Sequence, residues 1–208
     1  MEHAKNSRKE ILSSNLVKLM ELNLAYRLLN HGPTVLVTSA HGNKTNIMAV
    51  AWNMPLDFDP PRIAIVIDKK TFTRELIESS GSFVINVPSR MQADMVVKVG
   101  SSSGRELMGK EVNNKFHEFN LTTFAASQID VPLLEGCVAW LACKIIPEPH
   151  IQNTYDLFIA EVVAAYADDR VFSDGHWHFE GHDDLRTIHH VAGGAFFAIG
   201  EQFNATKP

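Results

Sequence analysis

The stretch from Pro33 to Pro61, PTVLVTSAHGNKTNIMAVAWNMPLDFDPP, constrains the fold more than any other part of this chain. An apolar β-type run, Thr34 to Thr38, meets a short polar patch, Ser39 to Thr45. A second apolar run ends at Ala51-Trp52, and Pro60-Pro61 acts as a stop. Arg62 to Ile67 makes another strand-like run. The pattern predicts strands over 34–39, 47–52 and 62–67, with Ser82 to Val87 as a further strand.

Two longer runs, 137–146 and 155–166, read as a strand pair. Cys137, Ala139, Leu141, Cys143 and Ile145 alternate with Val138, Trp140, Ala142, Lys144 and Ile146, so both faces are largely apolar. Such a strand is buried on both sides. Helical readings are short and peripheral. Thr73 to Glu78 looks like a short helix with Thr73 as its N-cap. Residues 91–99 and 104–111 read as helical or irregular. Upstream, Ile11, Leu12, Leu16, Leu19, Met20, Leu22 and Leu24 recur near helical spacing between about Lys9 and Leu29. His31-Gly32-Pro33 ends that segment. Six or more strands without regular intervening helices argue for a barrel, mainly β with peripheral helices, rather than a doubly wound sheet. The expected organisation is an N-terminal helical extension over 1–30 and a barrel domain over 31–208.

Composition removes several function classes. The formal net charge of −5 over 208 residues gives no basic footprint for nucleic acid. No apolar stretch approaches the roughly 20 residues of a membrane helix. MEHAKNSRKE has no apolar core behind its charges, so it does not read as a secretory signal, and a cytoplasmic place is expected. Cys137 and Cys143 are six apart, which on a strand puts them on one face and too far apart to bond. Gly-x-Gly-x-x-Gly, Gly-x-Ser-x-Gly and Cys-x-x-Cys are all absent, so no built-in dinucleotide domain, nucleophile elbow or dithiol centre is read.

The order of these segments, with Thr71 and Thr73 opening a helix and Asn86-Val87-Pro88 closing a strand, resembles the flavin reductase-like family. The resemblance runs from about Tyr26 to Phe203. It implies a split β-barrel that binds FMN, with FAD less favoured and NAD(P)H as co-substrate. Two departures place the chain nearer the flavoredoxin-like branch, in which FMN stays bound. Asn153-Thr154-Tyr155-Asp156 stands where many of the reductases carry Gly-Asp-His, and His150 is out of register with that histidine. Ala51 stands where many relatives have serine, so a backbone contact is expected there.

A flavin needs backbone groups at its polar edge, an apolar surface over a ring face, and cations, hydroxyls or a helix N-terminus at its phosphate. The resemblance puts Val50, Ala51, Trp52 and Asn53 beside the ring edge, with Asn46 on the same run and Thr38 and Ser39 on the neighbouring strand. It assigns the phosphate to Asp68, Lys69, Lys70, Thr71 and Thr73, with Ser103, Gly104 and Arg105 as a second anion segment and Asn86 as a strand-end asparagine. Alone, Trp52 reads equally as a core aromatic, Asn46 as a turn residue, Thr73 as an ordinary helix cap and Asn86 as a buried amide satisfying backbone groups.

No metal site is expected. His176, His178, His182, His189 and His190 lack helical ligand spacing, and Ser173 to Phe179 reads as a turn between strands. No single residue is assigned as catalytic, since the cofactors carry the reactivity and the protein stacks and orients them. The expected activity is electron transfer from NAD(P)H or a protein donor through bound flavin. A non-enzymatic flavoredoxin-type carrier is the second reading, and a barrel for another ligand, such as haem, or an empty scaffold is the third. A homodimer is expected, and a redox protein partner is considered. The two apolar faces of 137–146 and the run Gly193-Gly194-Ala195-Phe196-Phe197 give the dimer an independent motive.

Overall fold

The computed structural model describes residues 16–29, 31–110 and 113–206. The strands before the first helix are β1 Val17–Leu19, β2 Val35–His41, β3 Lys44–Val50, β4 Asn53–Phe58 and β5 Pro61–Val66. Helix α1, Phe72–Ser80, leads into β6, Ser82–Val87, and then α2, Ala93–Gly100. Short helices α3, Gly104–Leu107, and α4, Lys115–Glu118, precede the hairpin β7 Thr123–Ala126 and β8 Ile129–Leu134. β9, Ala139–Ile146, helix α5, Pro149–Tyr155, and β10, Leu157–Asp168, complete the main sheet. Two small hairpins follow, β11 Phe172–Ser173 with β12 His176–Trp177, and β13 Ile188–Ala192 with β14 Ala195–Ala198.

The main sheet is antiparallel in the order β3-β2-β6-β9-β10-β5-β4, and β1 pairs with the far end of β10. β3 and β4 lie at opposite ends of this order, yet only Ala51 and Trp52 separate them in sequence. The sheet must therefore curl until its two edges meet at that link, which makes a barrel with one unpaired seam. β10 allows the curl. It runs for 12 residues with a register shift between Val162 and Ala164, and such a bulge bends a strand.

β4 is a strand that the sequence pattern does not announce. Its exposed residues are the apolar ones, Met54, Leu56 and Phe58, and Pro55 interrupts it. Proline is tolerated because β4 is an edge strand and the register shifts between Pro55 and Asp57. Pro61 is not a stop but the first residue of β5, and the turn is made by Asp59 and Pro60.

The N-terminal segment differs from the helical expectation. Of the stretch read as one helix, residues before Leu16 lie outside the described residues. The described part is strand β1 and a 3-10 helix over Leu22–Leu28. Of its periodic residues Leu19 is exposed and Leu22 and Leu24 are half-buried; the barrel is plugged instead by Ala25, Leu28 and Leu29, which lie outside that pattern.

Two apolar clusters flank the sheet. Inside the barrel are Val35, Val37, Ile63, Phe83, Leu141 and Phe158. On the outer side of β2, β6 and β9, Leu36, Val84 and Trp140 are covered by Val96 and Val99 of α2 and by Phe124 and Leu133 of the β7–β8 hairpin. β9 is buried on both faces, as its sequence implies, and its outer face is covered within this chain. Trp140 makes the seal specific: its Nε1 donates to Leu134 O at 2.8 Å, and its ring meets Phe124 edge-on at 5.3 Å. Cys137 and Cys143 are free and buried, but they belong to opposite clusters. Cys137 precedes β9, so the alternation that begins at Ala139 does not extend to it. Burial pushes both thiols up and leaves neither activated as a nucleophile.

Candidate functional site

The barrel seam presents the first half of the site. Val50 is buried, Ala51 and Trp52 are exposed, and Trp52 reaches 74% exposure, so it is not a core aromatic. β3 has a ladder partner on one side only, β2. The link is held from behind: Val66 N–H donates to Trp52 O at 3.0 Å, and Asn53 Nδ2 donates to Pro33 O at 3.0 Å.

The second half is the N-terminus of α1. Asp68 organises the approach. Its Oδ1 accepts from Lys70 N–H, and its carbonyl accepts from both the N–H and the hydroxyl of Thr71. Thr71, not Thr73, is the N-cap. Its backbone is extended and its Oγ1 accepts from Arg74 N–H at 3.2 Å. The Asp68 turn delivers the chain to the helix two residues earlier than the pattern indicates. Gly81 closes the helix at φ 70°, with its N–H on Ile77 O. Arg74 fixes the helix to the barrel. The residue is 4% exposed, and its guanidinium donates to Ile67 O, Gln152 O and Asp156 and lies over the Phe158 ring.

Thr73 is fully buried and belongs to a different contact. Asn46 Nδ2 donates to Thr73 Oγ1 at 2.8 Å, and Asn46 Oδ1 is buried without a partner. Gly104 packs on that amide so closely that a Cβ there would stand 2.1 Å from Asn46 Oδ1 and 3.2 Å from Phe72. Arg105 lies over the Phe72 ring at 5.5 Å and pairs with Glu75 at 2.8 Å. Asn46, Thr73, Gly104 and Arg105 are thus one constellation, beside exposed Lys69 and Lys70. Ser103 precedes α3, and its side chain makes no cap bond.

Three of the expected residues turn elsewhere. Thr38 Oγ1 donates to Pro132 O at 2.6 Å, and Asn86 Nδ2 donates to Leu36 O and Thr38 Oγ1 while its Oδ1 accepts from Leu134 N–H. Both are fully buried and pin the β7–β8 hairpin to the sheet. Ser39 is also fully buried, and its Oγ has no partner. Strand alternation sends Thr38 outward with Leu36 and Ser39 inward with Val37.

A further segment, Ile188 to Ala198, comes to the seam. The β13–β14 hairpin lies beside β3 and α2 and lines with them an open groove of about 520 Å³ bordered by Ala51, Gly100, His190 and Phe196. Gly193 and Gly194, at φ 55° and 84°, make the tip. The glycine pair between two β-type runs is itself a hairpin signal. Behind the hairpin, His31 is largely buried against Trp177 and His189, and its Nε2 meets Thr187 Oγ1 at 2.7 Å. Burial, then the nearby His189, lower the His31 pKa to about 4. Among the described residues no three His, Cys, Asp or Glu side chains converge as a metal site. His176 and His178 instead close the β11–β12 turn through Asp174 O and Ser173 Oγ.

Known proteins match this chain in sequence and in fold. Residues 27–185 match the flavin reductase like domain. The chain is 44% identical over 189 residues to the uncharacterized protein YddH of Escherichia coli (strain K12), covering 89% of this chain and 96% of that one. An FMN-binding domain of a flavin reductases-like enzyme from Shewanella baltica OS155 superposes with a TM-score of 0.85 at 50% identity, over 91% of this chain and 97% of that one. Flavoredoxin of Desulfovibrio vulgaris (Miyazaki F) shares the fold, with a TM-score of 0.70 at 24% identity over 84% and 90% of the two chains. The chain belongs to the flavin reductase-like domain family, with the split-barrel fold of its FMN-binding members.

Proposed function

We propose that this protein is an FMN-binding oxidoreductase that passes electrons from NAD(P)H or a protein donor through its bound flavin. The observation that carries the reading is the meeting of the barrel seam, Val50 to Asn53, with a cation-flanked helix N-terminus. The donor set suits the group. Phe72 and Thr73 offer backbone N–H groups at the start of α1, where the dipole favours an anion. Lys69, Lys70 and Arg105 supply positive charge, and Gly104 lets the 101–105 segment close on Asn46. The one-sided ladder of β3 leaves peptide groups for a polar ring edge, and exposed Trp52 gives an aromatic surface beside it. When bound, FMN supplies the redox chemistry. The chain holds the phosphate, orients the ring and screens one side of it.

A homodimer completes this reading. Trp52, Met54, Leu56 and Phe58 are 74%, 54%, 47% and 62% exposed and follow one another at alternate positions. An apolar stripe on an edge strand invites pairing with another chain. A cytoplasmic place accords with the composition, and among the described residues no helix is long and apolar enough to cross a membrane.

The test is the absorbance spectrum of the purified protein, with mass identification of the flavin released by heat. Apo-protein that fails to quench FMN fluorescence at micromolar concentrations would sink the reading. Anaerobic NAD(P)H oxidation by the loaded protein distinguishes an oxidoreductase from a flavoredoxin-type carrier, which the absence of Gly-Asp-His before β10 favours.

A further inference from the structure

Among the described residues Lys115 is the only buried lysine, at 2% exposure. It opens the short helix α4, whose Phe116 packs on the same outer cluster as Val96 and Val99 of α2. Its Nζ donates to Val99 O at 2.8 Å, and no carboxylate among the described residues pairs with it. An ammonium taken out of water with one carbonyl for a partner is costly, and burial lowers its pKa to about 8. An apolar side chain of that length would fill the space at less cost, so packing alone does not account for the residue.

The place it holds accounts for it better. The last carbonyls of a helix lack partners inside the helix, and a cation there meets the negative end of the dipole. At the end of α2 the N–H and Oγ of Ser101 both donate to Val97 O, Ser102 Oγ donates to Lys98 O, and Lys115 takes Val99 O. The serines reach back along their own chain, whereas Lys115 comes from another helix. Just beyond, Gly100 lies against β3, where a Cβ on it would stand 3.4 Å from that of Ala49, and Gly104 rests on Asn46. The 101–105 segment is therefore pinned by Lys115 before it and by Asn46 within it, and it ends on Arg105, over the Phe72 ring of α1. We propose that Lys115 is a positioning residue for the phosphate end of the site. Its ammonium fixes the end of α2 and so sets the 101–105 segment, with Arg105, against α1. The inference rests on the flavin reading, since it takes the FMN phosphate as the anion that Arg105 meets. The charged side chains around Lys115, namely Asp94 and Lys98 of α2, Lys44 of β3, Arg105, and His117 and Glu118 of α4, are all exposed. None of them pairs with its Nζ, so the charge at Val99 O is its own.

The test compares FMN with riboflavin by fluorescence quenching. Lys115→Met keeps the stem and removes the donor and the charge. FMN should bind about tenfold more weakly, the loss of one charge-assisted hydrogen bond, while riboflavin, which has no phosphate, stays within about twofold. In an Arg105→Ala background the same change should cost FMN nothing further, since both residues act through one segment. Between about pH 7 and about pH 9.5 the parent's FMN affinity should fall more steeply than that of Lys115→Met, because a neutral amine holds the carbonyl less strongly than an ammonium. Lys115→Arg stays charged throughout and serves if the methionine variant does not fold; its profile should also be flatter than the parent's. Apo-protein gives a readout without flavin: hydrogen exchange at amides 100–105 should quicken about tenfold in Lys115→Met, with β3 and α1 unchanged. Equal losses of FMN and riboflavin, additive losses with Arg105→Ala, or parallel pH profiles overturn the proposal, because Lys115 would then only support the fold. Parent protein that binds no FMN sinks the flavin reading instead. The exchange rates then decide whether Lys115 holds the segment, and rates unchanged by Lys115→Met overturn the proposal.

Discussion

Asn46 joins strand β3 to helix α1 through one hydrogen bond, its Nδ2 donating to Thr73 Oγ1 at 2.8 Å inside a fully enclosed contact. The other side of the same amide is the floor on which Gly104 rests. Three segments far apart in sequence therefore share one side chain. Gly104→Ala forces a methyl group into Asn46 Oδ1 and should destabilise the fold by about 1–3 kcal/mol, the usual range for overpacking. It should weaken FMN binding with it, as the 101–105 segment is displaced. Asn46→Ala opens the space. The double variant Gly104→Ala, Asn46→Ala should be more stable than the sum of the two losses predicts. Urea unfolding of the four proteins measures this, and strict additivity would mean the contact is not tight.

The phosphate end separates direct from indirect roles. Lys69 and Lys70 are exposed, whereas Thr73 is enclosed. A charge-assisted hydrogen bond contributes about 1.5–3 kcal/mol, so replacing both lysines by alanine should weaken FMN binding tenfold or more. Riboflavin, which lacks the phosphate, should be almost unaffected. Thr73→Val acts differently. It removes the acceptor of the Asn46 amide and should lower protein stability and the affinity of both flavins together. Parallel fluorescence titrations with FMN and riboflavin measure this. Equal losses from the lysine changes would place the phosphate elsewhere.

How far the site was legible follows from these residues. The apolar parts of β3 and β5 and the helix start at 71–73 are readable, because apolar runs and polar breaks fix them locally, but the pattern carries the second strand over 47–52, whereas β3 spans Lys44–Val50 and the chain leaves the ladder at Ala51-Trp52. The two threonines on either side of Phe72 were not distinguishable. Which one caps the helix depends on the Asp68 turn, and its bonds link residues two and three apart. Thr38 and Asn86 enter the expected site only through the family resemblance. Only the β7–β8 hairpin, whose partners lie 94 residues beyond Thr38 and 48 beyond Asn86, shows that their side of the sheet is covered. β4 was hidden because its apolar residues face outward, the reverse of the usual alternation.

His31 gives the fold a pH dependence of definite sign. Its folded pKa of about 4 lies below its ordinary value. The folded state therefore binds fewer protons than the unfolded chain between about pH 6.5 and 4. Stability should be complete above pH 6.5 and fall as pH drops through that window. Each unit of displacement is worth about 1.4 kcal/mol, so a loss on the order of 2–3 kcal/mol is expected by pH 4. His31→Gln cannot titrate and should flatten this part of the profile, whatever its stability at pH 7. Urea midpoints from pH 7 to 4 for both proteins give the comparison, and parallel profiles would show that His31 contributes nothing.

The last prediction concerns the second copy. The apolar outer face of β9 no longer argues for a partner, because α2 and the β7–β8 hairpin cover it. Phe196 is also a poor probe of an interface, since it lines the groove beside β3 and α2. The argument passes to β4. Its stripe from Trp52 to Phe58 begins at the seam itself, so a partner seated on it would close over the flavin's exposed side. A stable interface of that kind buries on the order of 2,000 Å² or more. Two carboxylates in its centre, Met54→Asp with Phe58→Asp, should yield a monomer. Both residues are more than half exposed, so the fold itself should tolerate them within about 0.5 kcal/mol each, as surface positions do. FMN affinity should fall with the dimer, because the ring loses its cover while the α1 end keeps its cations. Light scattering with flavin absorbance followed in parallel measures both quantities. A folded monomer that retains FMN as tightly as the parent would refute the shared site.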